Sequence, residues 1–419
     1  MIPHPASLRA ALGGLPRTFW MVWTGMLVNR LASFVAPFLA LFLVRERGFD
    51  AAEAGRIVAL YGLGVMVAGP LGGTLADRLG RRPTMLLGLV TGALSVAALA
   101  LTRAPLALAA LAFVNGATGE IYRPAMNAVV ADVVAPAERT RAYGLVYWAI
   151  NMGWSIGLSV AGLFAERHIA WLFFVDATTS LAFAAVLAFT VPETRPAGVE
   201  PAPALAGLAQ VFRDRVFVVF ALLALGGLMV FTQFQLAAPL DMAAHGVGPA
   251  SFAWLMALNG VGVVLLQPLL GARLRRYDPS RALAVSALLF GVGFGVNALG
   301  GSVPLYVFGV LLWTVGEVVG FPVANAVVAD LSPASLRGRY QGAYSMSWGV
   351  AFTLSPLIGG EVMSRFGART LWLGTLALGL VLAAGHLAAA PARRRRLAAG
   401  RAATSPRPSP GQALAAPDA

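Results

Sequence analysis

Four charged side chains stand inside long apolar runs: Arg30, Glu120, Arg123 and Glu317. A charge at bilayer depth is expensive and is usually kept for function. A carboxyl group in a dry cavity is driven toward its neutral form, while a nearby arginine pulls it back toward the anion. Alternating between those surroundings would let it take a proton from one side and release it to the other. Glu120 and Arg123 are three residues apart and share a helix face. Glu120 and Glu317 each follow a glycine and precede a proline, Pro124 or Pro322, by four or five residues. These four residues are the proton-coupling candidates. A permanent ion pair between helices is the competing reading, and it weighs most for Arg30.

A second group of charges is concentrated in one short stretch, Gly73 to Thr84, which holds Asp77, Arg78, Gly80, Arg81 and Arg82 between two apolar runs. Such a stretch reads as a tight loop at a membrane face. Polar or aromatic residues within the apolar segments, namely Asn29, Tyr122, Asn151, Gln233, Gln235, Asn259 and Trp313, are candidates for lining a substrate cavity.

Only a membrane bundle can position these groups. The chain has 419 residues, is 58% hydrophobic and 12% charged, and has a mean hydropathy of +0.76. Soluble domains carry roughly 25% charged residues. The sequence contains no cysteine, which excludes disulfides and thiolate chemistry, and its four histidines are scattered. No metal or cofactor is therefore expected, and no Walker-type Gly-Lys sequence offers an ATP site. Gly153-Trp-Ser155-Ile-Gly157 matches a nucleophile elbow on paper, but it sits in an apolar helix with no preceding strand, so no enzyme is indicated.

Apolar segments of about 20 residues, the length a bilayer needs, fall at 19–44, 54–76, 84–102, 105–132, 141–164 and 169–190. Six more fall at 216–240, 250–272, 281–300, 303–331, 340–363 and 369–390. The expected organisation is a leader (1–16), a first six-helix half (17–190), a central loop (191–214), a second half (215–390) and a disordered tail (391–419). With both termini cytoplasmic, 22 arginines face the cytoplasm and six the other side, a strong positive-inside bias. That placement explains the net charge of +13 without a nucleic-acid partner. The expected setting is the plasma membrane, as a monomer in the lipid bilayer.

The halves repeat. Pro124-Ala-Met-Asn-Ala-Val-Val-Ala-Asp132 recurs 198 residues later as Pro322-Val-Ala-Asn-Ala-Val-Val-Ala-Asp330. Extending to Gly144 and Gly342 gives ten identities in 21 positions, including Arg139/Arg337 and Arg141/Arg339. The same offset carries Gly73 onto Gly271, Asp77 onto Arg275 and Gly80 onto Asp278, so the second copy of the charged loop is degraded. Homologous halves with a site between them are a recurring transporter plan.

Gly73-Thr-Leu-Ala-Asp77-Arg78-Leu-Gly80-Arg81-Arg82 resembles the loop signature of the major facilitator superfamily. Asn29-Arg30 and Pro37-Phe-Leu-Ala-Leu41 resemble the first helix of its twelve-span drug:proton antiporters. The resemblance implies an all-α membrane protein with 12 transmembrane helices in two homologous six-helix bundles. Spans 1, 4, 7 and 10 would line a central cavity, and Asp176 on peripheral span 6 would be structural. It further implies a conformational latch in which Asp77 faces the start of a helix near Tyr340 and Arg81 pairs with Asp132. Leu158 replaces the proline of the antiporter element in span 5, and Ala112 stands where many antiporters have an arginine. The expected function is alternating-access transport of a small organic solute, with proton-coupled export of an amphipathic compound foremost. Uptake symport of a sugar, amino acid or organic acid, or a non-transporting receptor, are the alternatives.

Overall fold

The computed structural model describes residues 14–165, 169–196, 203–274 and 276–404. Arg9, Arg167, Arg275 and Arg407 lie outside it, as does the tail beyond 404. Among the described residues there is no strand.

The first half is built from α1 (Arg17–Leu31), α2 (Val35–Arg47), α3 (Ala51–Arg78), α4 (Arg81–Leu101), α5 (Pro105–Gly119), α6 (Tyr122–Val133), α7 (Arg139–Ala165) and α8 (Ile169–Thr190). A short α9 (Ala204–Arg213) follows within the central loop. The second half holds α10 (Arg215–Phe231), α11 (Ala237–Ala244), α12 (Pro249–Leu274), α13 (Pro279–Gly295), α14 (Val303–Leu331), α15 (Arg337–Phe366) and α16 (Ala368–Ala388). α17 (Ala390–Thr404) closes the described chain.

These helices make twelve membrane-crossing rods, because α1–α2, α5–α6 and α10–α11 are each one rod in two pieces. Eight helices among the described residues are individually long and apolar enough to span a bilayer. The remaining rods are the broken pairs α1–α2 and α5–α6, together with α7 and α15.

The breaks depart from the uninterrupted spans read from hydropathy. Span 1 stops at Leu31 and restarts at Val35, two residues before Pro37. Proline fits the first turn of a helix, where its missing N–H costs nothing. Span 4 stops at Gly119 and restarts at Tyr122, with Glu120 at the break. There Pro124 cannot donate to the Glu120 carbonyl, which instead accepts Arg123 N at 3.2 Å in a tighter turn. Span 7 loosens into a 3-10 turn over Thr232–Gln235. Span 10 carries the equivalent Pro322 yet runs on as one helix of 29 residues.

The tail differs as well. Residues 390–404 form a helix where disorder was expected, because its arginines find partners on the second half. Arg393 is buried, donates to Ser280 Oγ at 2.9 Å and lies 5.5 Å from the Phe220 ring centroid. Arg394 Nε reaches Asp278 Oδ2 at 2.9 Å. Burial pushes the Arg393 guanidinium down to about 10, with the Asp278 charge opposing. Burial also pushes the Asp278 carboxyl up, but hydrogen bonds from Arg394 and from the Arg281 and Ser280 amides outweigh it and leave Asp278 below its ordinary 3.8.

Candidate functional site

Two arrangements stand out: a charged site at the breaks inside the first half, and a clasp at the end where α3 meets α15.

At the first break Arg30 lies in the last turn of α1, the negative end of that piece. Glu120 sits at the second break, between the end of α5 and the start of α6. Arg30 is buried; its Nη2 donates to Tyr122 Oη at 2.5 Å and lies 3.6 Å from Glu120 Oε1. Arg123 Nε is 2.5 Å from Glu120 Oε2, a close ion contact without hydrogen-bond alignment. Glu120 thus stands between two guanidinium groups. A cavity opens beside it within the first bundle, lined by Asn29, Arg30, Tyr61, Asn115, Glu120 and Asp176 among others.

Glu317 is placed differently. It is 1% exposed in the unbroken α14, and among the described residues no arginine lies within ion-pair distance of it. Asn259 Nδ2 of α12 donates to its Oε2 at 3.1 Å and to Thr314 Oγ1 at 2.9 Å. The Tyr147 hydroxyl of α7 hydrogen-bonds the same carboxyl from the other half. Sequence reasoning missed Tyr147, since nothing local marks a tyrosine whose partner is 170 positions away.

The other cavity candidates scatter. Asn29 Nδ2 donates to Ser180 Oγ at 2.8 Å inside the first bundle. Asn151 bonds its own helix at the Tyr147 carbonyl, 3.0 Å away. Gln233 is buried and donates to Ser355 Oγ at 2.9 Å, whereas Gln235 is exposed at the span 7 loosening. Trp313 is buried in the second bundle, stacked against Phe294 and Phe234. Tyr122 is equally buried and serves Arg30.

The clasp is built on the charged loop. Asp77 is buried and accepts Gly338 N at 2.8 Å and Arg339 N at 2.9 Å, two of the free amides that start α15. It therefore caps a helix of the opposite half, satisfying donors that have no partner in their own helix. Arg81 is fully buried, with Nη1 3.1 Å from Asp77 Oδ1 and Nε 3.1 Å from Asp132 Oδ2. Its Nη2 reaches the Ala334 carbonyl across the interface at 3.2 Å. Arg78 is exposed, and its carbonyl accepts Arg195 Nη1 at 2.6 Å. Arg82 donates to the Ala188 carbonyl. Gly80 has φ +114°, open to glycine and strained for other residues. Glu193, unmarked in the sequence, caps α4 by accepting Arg81 N at 2.9 Å and Arg82 N at 3.2 Å.

The repeated motif produces a reciprocal exchange. Arg337 of the second half pairs with Asp132 of the first, and Arg139 of the first pairs with Asp330 of the second. Between them Gln341 Nε2 meets Tyr143 Oη at 3.4 Å, and those two residues are themselves 198 apart. The approach depends on glycine. Gly69 and Gly73 of α3 face Gly338 and Gly342 of α15, and a Cβ on Gly69 would lie 2.8 Å from the Gly342 carbonyl oxygen. Small residues spaced four apart let two helices pack backbone to backbone.

The chain matches the family model described as Major Facilitator Superfamily over residues 22–240 and 231–416. It is 25% identical over 375 residues to the uncharacterized MFS-type transporter YttB of Bacillus subtilis (strain 168), covering 88% of this chain and 94% of that protein. It is also 25% identical over 325 residues to the multidrug resistance protein MdtH of Klebsiella pneumoniae (strain 342), covering 77% and 81%. The crystal structure of the human organic anion transporter MFSD10 superposes with TM-score 0.76 at 20% identity, covering 91% of this chain and 100% of that one. The proton:xylose symporter XylE superposes at 0.70 and 14% identity, covering 87% and 94%. With twelve helical rods in two repeated halves and a family model spanning both, the chain belongs to the Major Facilitator Superfamily and is a multi-pass membrane transporter.

Proposed function

We propose that this transporter exports a small amphipathic organic compound in exchange for protons. The two halves would rock about the interface just described, with both termini and the clasp on the cytoplasmic side. The observation that carries the reading is Glu120, a carboxylate at a helix break between Arg30 and Arg123. Protonation of Glu120 removes the charge that holds both guanidinium groups, so it changes the forces across two rods at once. Glu317, hydrogen-bonded from both halves, is the second group whose protonation would alter the interface. The multidrug resistance name of the MdtH relatives supports export of drug-like compounds.

Inside-out vesicles with an imposed proton gradient test this, with ethidium as the probe. Glu120→Gln should lower the initial rate of gradient-driven ethidium uptake about 100-fold, the low end for loss of a positioned proton-transfer group. An unchanged rate in that variant would sink the proton-coupling assignment. Accumulation only in right-side-out vesicles would reverse the direction.

A further inference from the structure

Asp176 lies on α8, at the wall of the cavity inside the first bundle. Its Oδ2 accepts Phe34 N at 3.0 Å, and the Val35 amide also donates to the carboxylate. Those are free amides at the start of α2, so Asp176 caps the restarted half of span 1 from another helix. The contact is not isolated. Ser180 Oγ is 3.5 Å from Asp176 Oδ1 and accepts Asn29 Nδ2 at 2.8 Å. Tyr122 Oη lies 3.5 Å from Asn29 Oδ1 and accepts Arg30 at 2.5 Å, and Arg30 ends 3.6 Å from Glu120. An unbroken chain of polar contacts thus runs from one carboxyl to the other through Arg30. The buried Arg30 Nε has no hydrogen-bond partner.

We propose that Asp176 is a second proton-exchanging carboxyl of the first half, titrating as a pair with Glu120 through Arg30. The inference rests on the reading of Glu120 as a proton carrier. Two guanidinium groups and two carboxylates make a neutral cluster, and one added proton leaves it with a single positive charge. That proton can sit on either carboxyl, with Arg30 held by the one still ionised. The Glu120 carboxylate gains the proton as its contact to Arg30 loosens. On transfer, the O–H bond at Glu120 breaks and one forms at Asp176, so charge is conserved within the cluster. Interacting groups of this kind titrate as a pair, not one by one. The groups facing Asp176 are Arg30 from α1, Tyr61 from α3 and, beyond the cavity, Glu120 with Arg123. α4 lines the cavity with apolar residues and glycines, α2 contributes backbone amides, and α7 contributes nothing to its wall. A cap with no role in proton exchange would need neither Ser180 and Asn29 nor the adjoining cavity.

Infrared titration of the purified full-length protein in lipid, from about pH 5 to pH 9, reads protonated carboxyl groups directly, with the proton as the probe. Glu120→Gln should remove one component of the carbonyl band and leave another, which Asp176→Asn removes. Asp176→Asn should also move the Glu120 component about one unit to lower pH, since Arg30 then serves a single carboxylate. Ser180→Ala should keep both components and cause a smaller shift in the same direction. It carries the test if Asp176→Asn fails to assemble. An Asp176→Asn spectrum that matches the parent would overturn the proposal. So would a lower folded yield with the Glu120 component unmoved, which marks a structural cap only. If Glu120→Gln transports normally while the infrared pairing holds, the transport reading fails and the two-carboxyl site stands.

Discussion

Gly73–Thr84 and Gly271–Arg281 occupy equivalent places in the two halves, yet they hold different things. The first keeps Asp77, and with it caps the opening turn of α15 in the other half. In the second, Asp77 is replaced by Arg275 and Gly80 by Asp278. Asp278 caps its own helix α13, at 3.0 Å from Ser280 N, and binds Arg394 of the tail. One loop fastens half to half; the other fastens the tail to its own half. Repeat symmetry thus fixes where a loop lies, and single residue changes decide what it grips.

Three experiments press on that contrast. The largest effect is expected for Asp77→Ala, which takes one of the two carboxylates from buried Arg81 and frees the α15 amides. Removing one partner of a buried ion pair costs about 3 kcal/mol, or about 100-fold in the clasped-to-open ratio. The chain lacks cysteine, so labelling of one cysteine introduced at Asn325, a half-buried position on α14 five residues before Asp330, reads that ratio without background. Unchanged labelling would mean that the loop is only a turn.

Next come Asp132→Asn and Asp330→Asn. Each breaks one arm of the reciprocal exchange, and each should raise labelling about tenfold, corresponding to about 1.4 kcal/mol for a partly exposed charged contact. Asp132 also holds Arg81, so its effect should be the larger of the two. The double reversal Asp330→Arg with Arg139→Asp should recover most of the loss. If it does not, the pairing is incidental.

The smallest effect belongs to Asp278→Asn, which should leave the clasp alone and release the tail. The parent should show the same release on acidification. A carboxyl held below its ordinary value stabilises docking above that value and loses the contribution as pH falls through the docked one, here below about 4. Hydrogen exchange along 390–396, followed against pH, measures it. A tail whose protection never falls as the pH is taken down from 3.8 would break the assignment.

Much of this was legible in the residues. Hydropathy gave twelve rods, and the Pro-Asn-Asp repeat gave two halves, because both signals are local and strong. The interruptions at Glu120 and before Val35 were hidden, since a window of about 20 residues averages over breaks of two and three residues. Proline did not mark them either: Pro124 accompanies a break and Pro322 does not. Tyr147 and Glu193 earn their places through partners more than a hundred positions away. The swap of Asp132 and Asp330 between Arg337 and Arg139 needed the three-dimensional arrangement, although all four residues stood in the repeat.

That swap has a consequence for how the chain is put together. Residue i meeting j while j′ meets i′, with Tyr143 and its own counterpart Gln341 touching between them, is the contact pattern of a twofold dimer. Every one of these bonds is noncovalent, and none requires the connection between 196 and 203. A chain severed there retains the full set, so its two pieces should recognise each other in the membrane as subunits do.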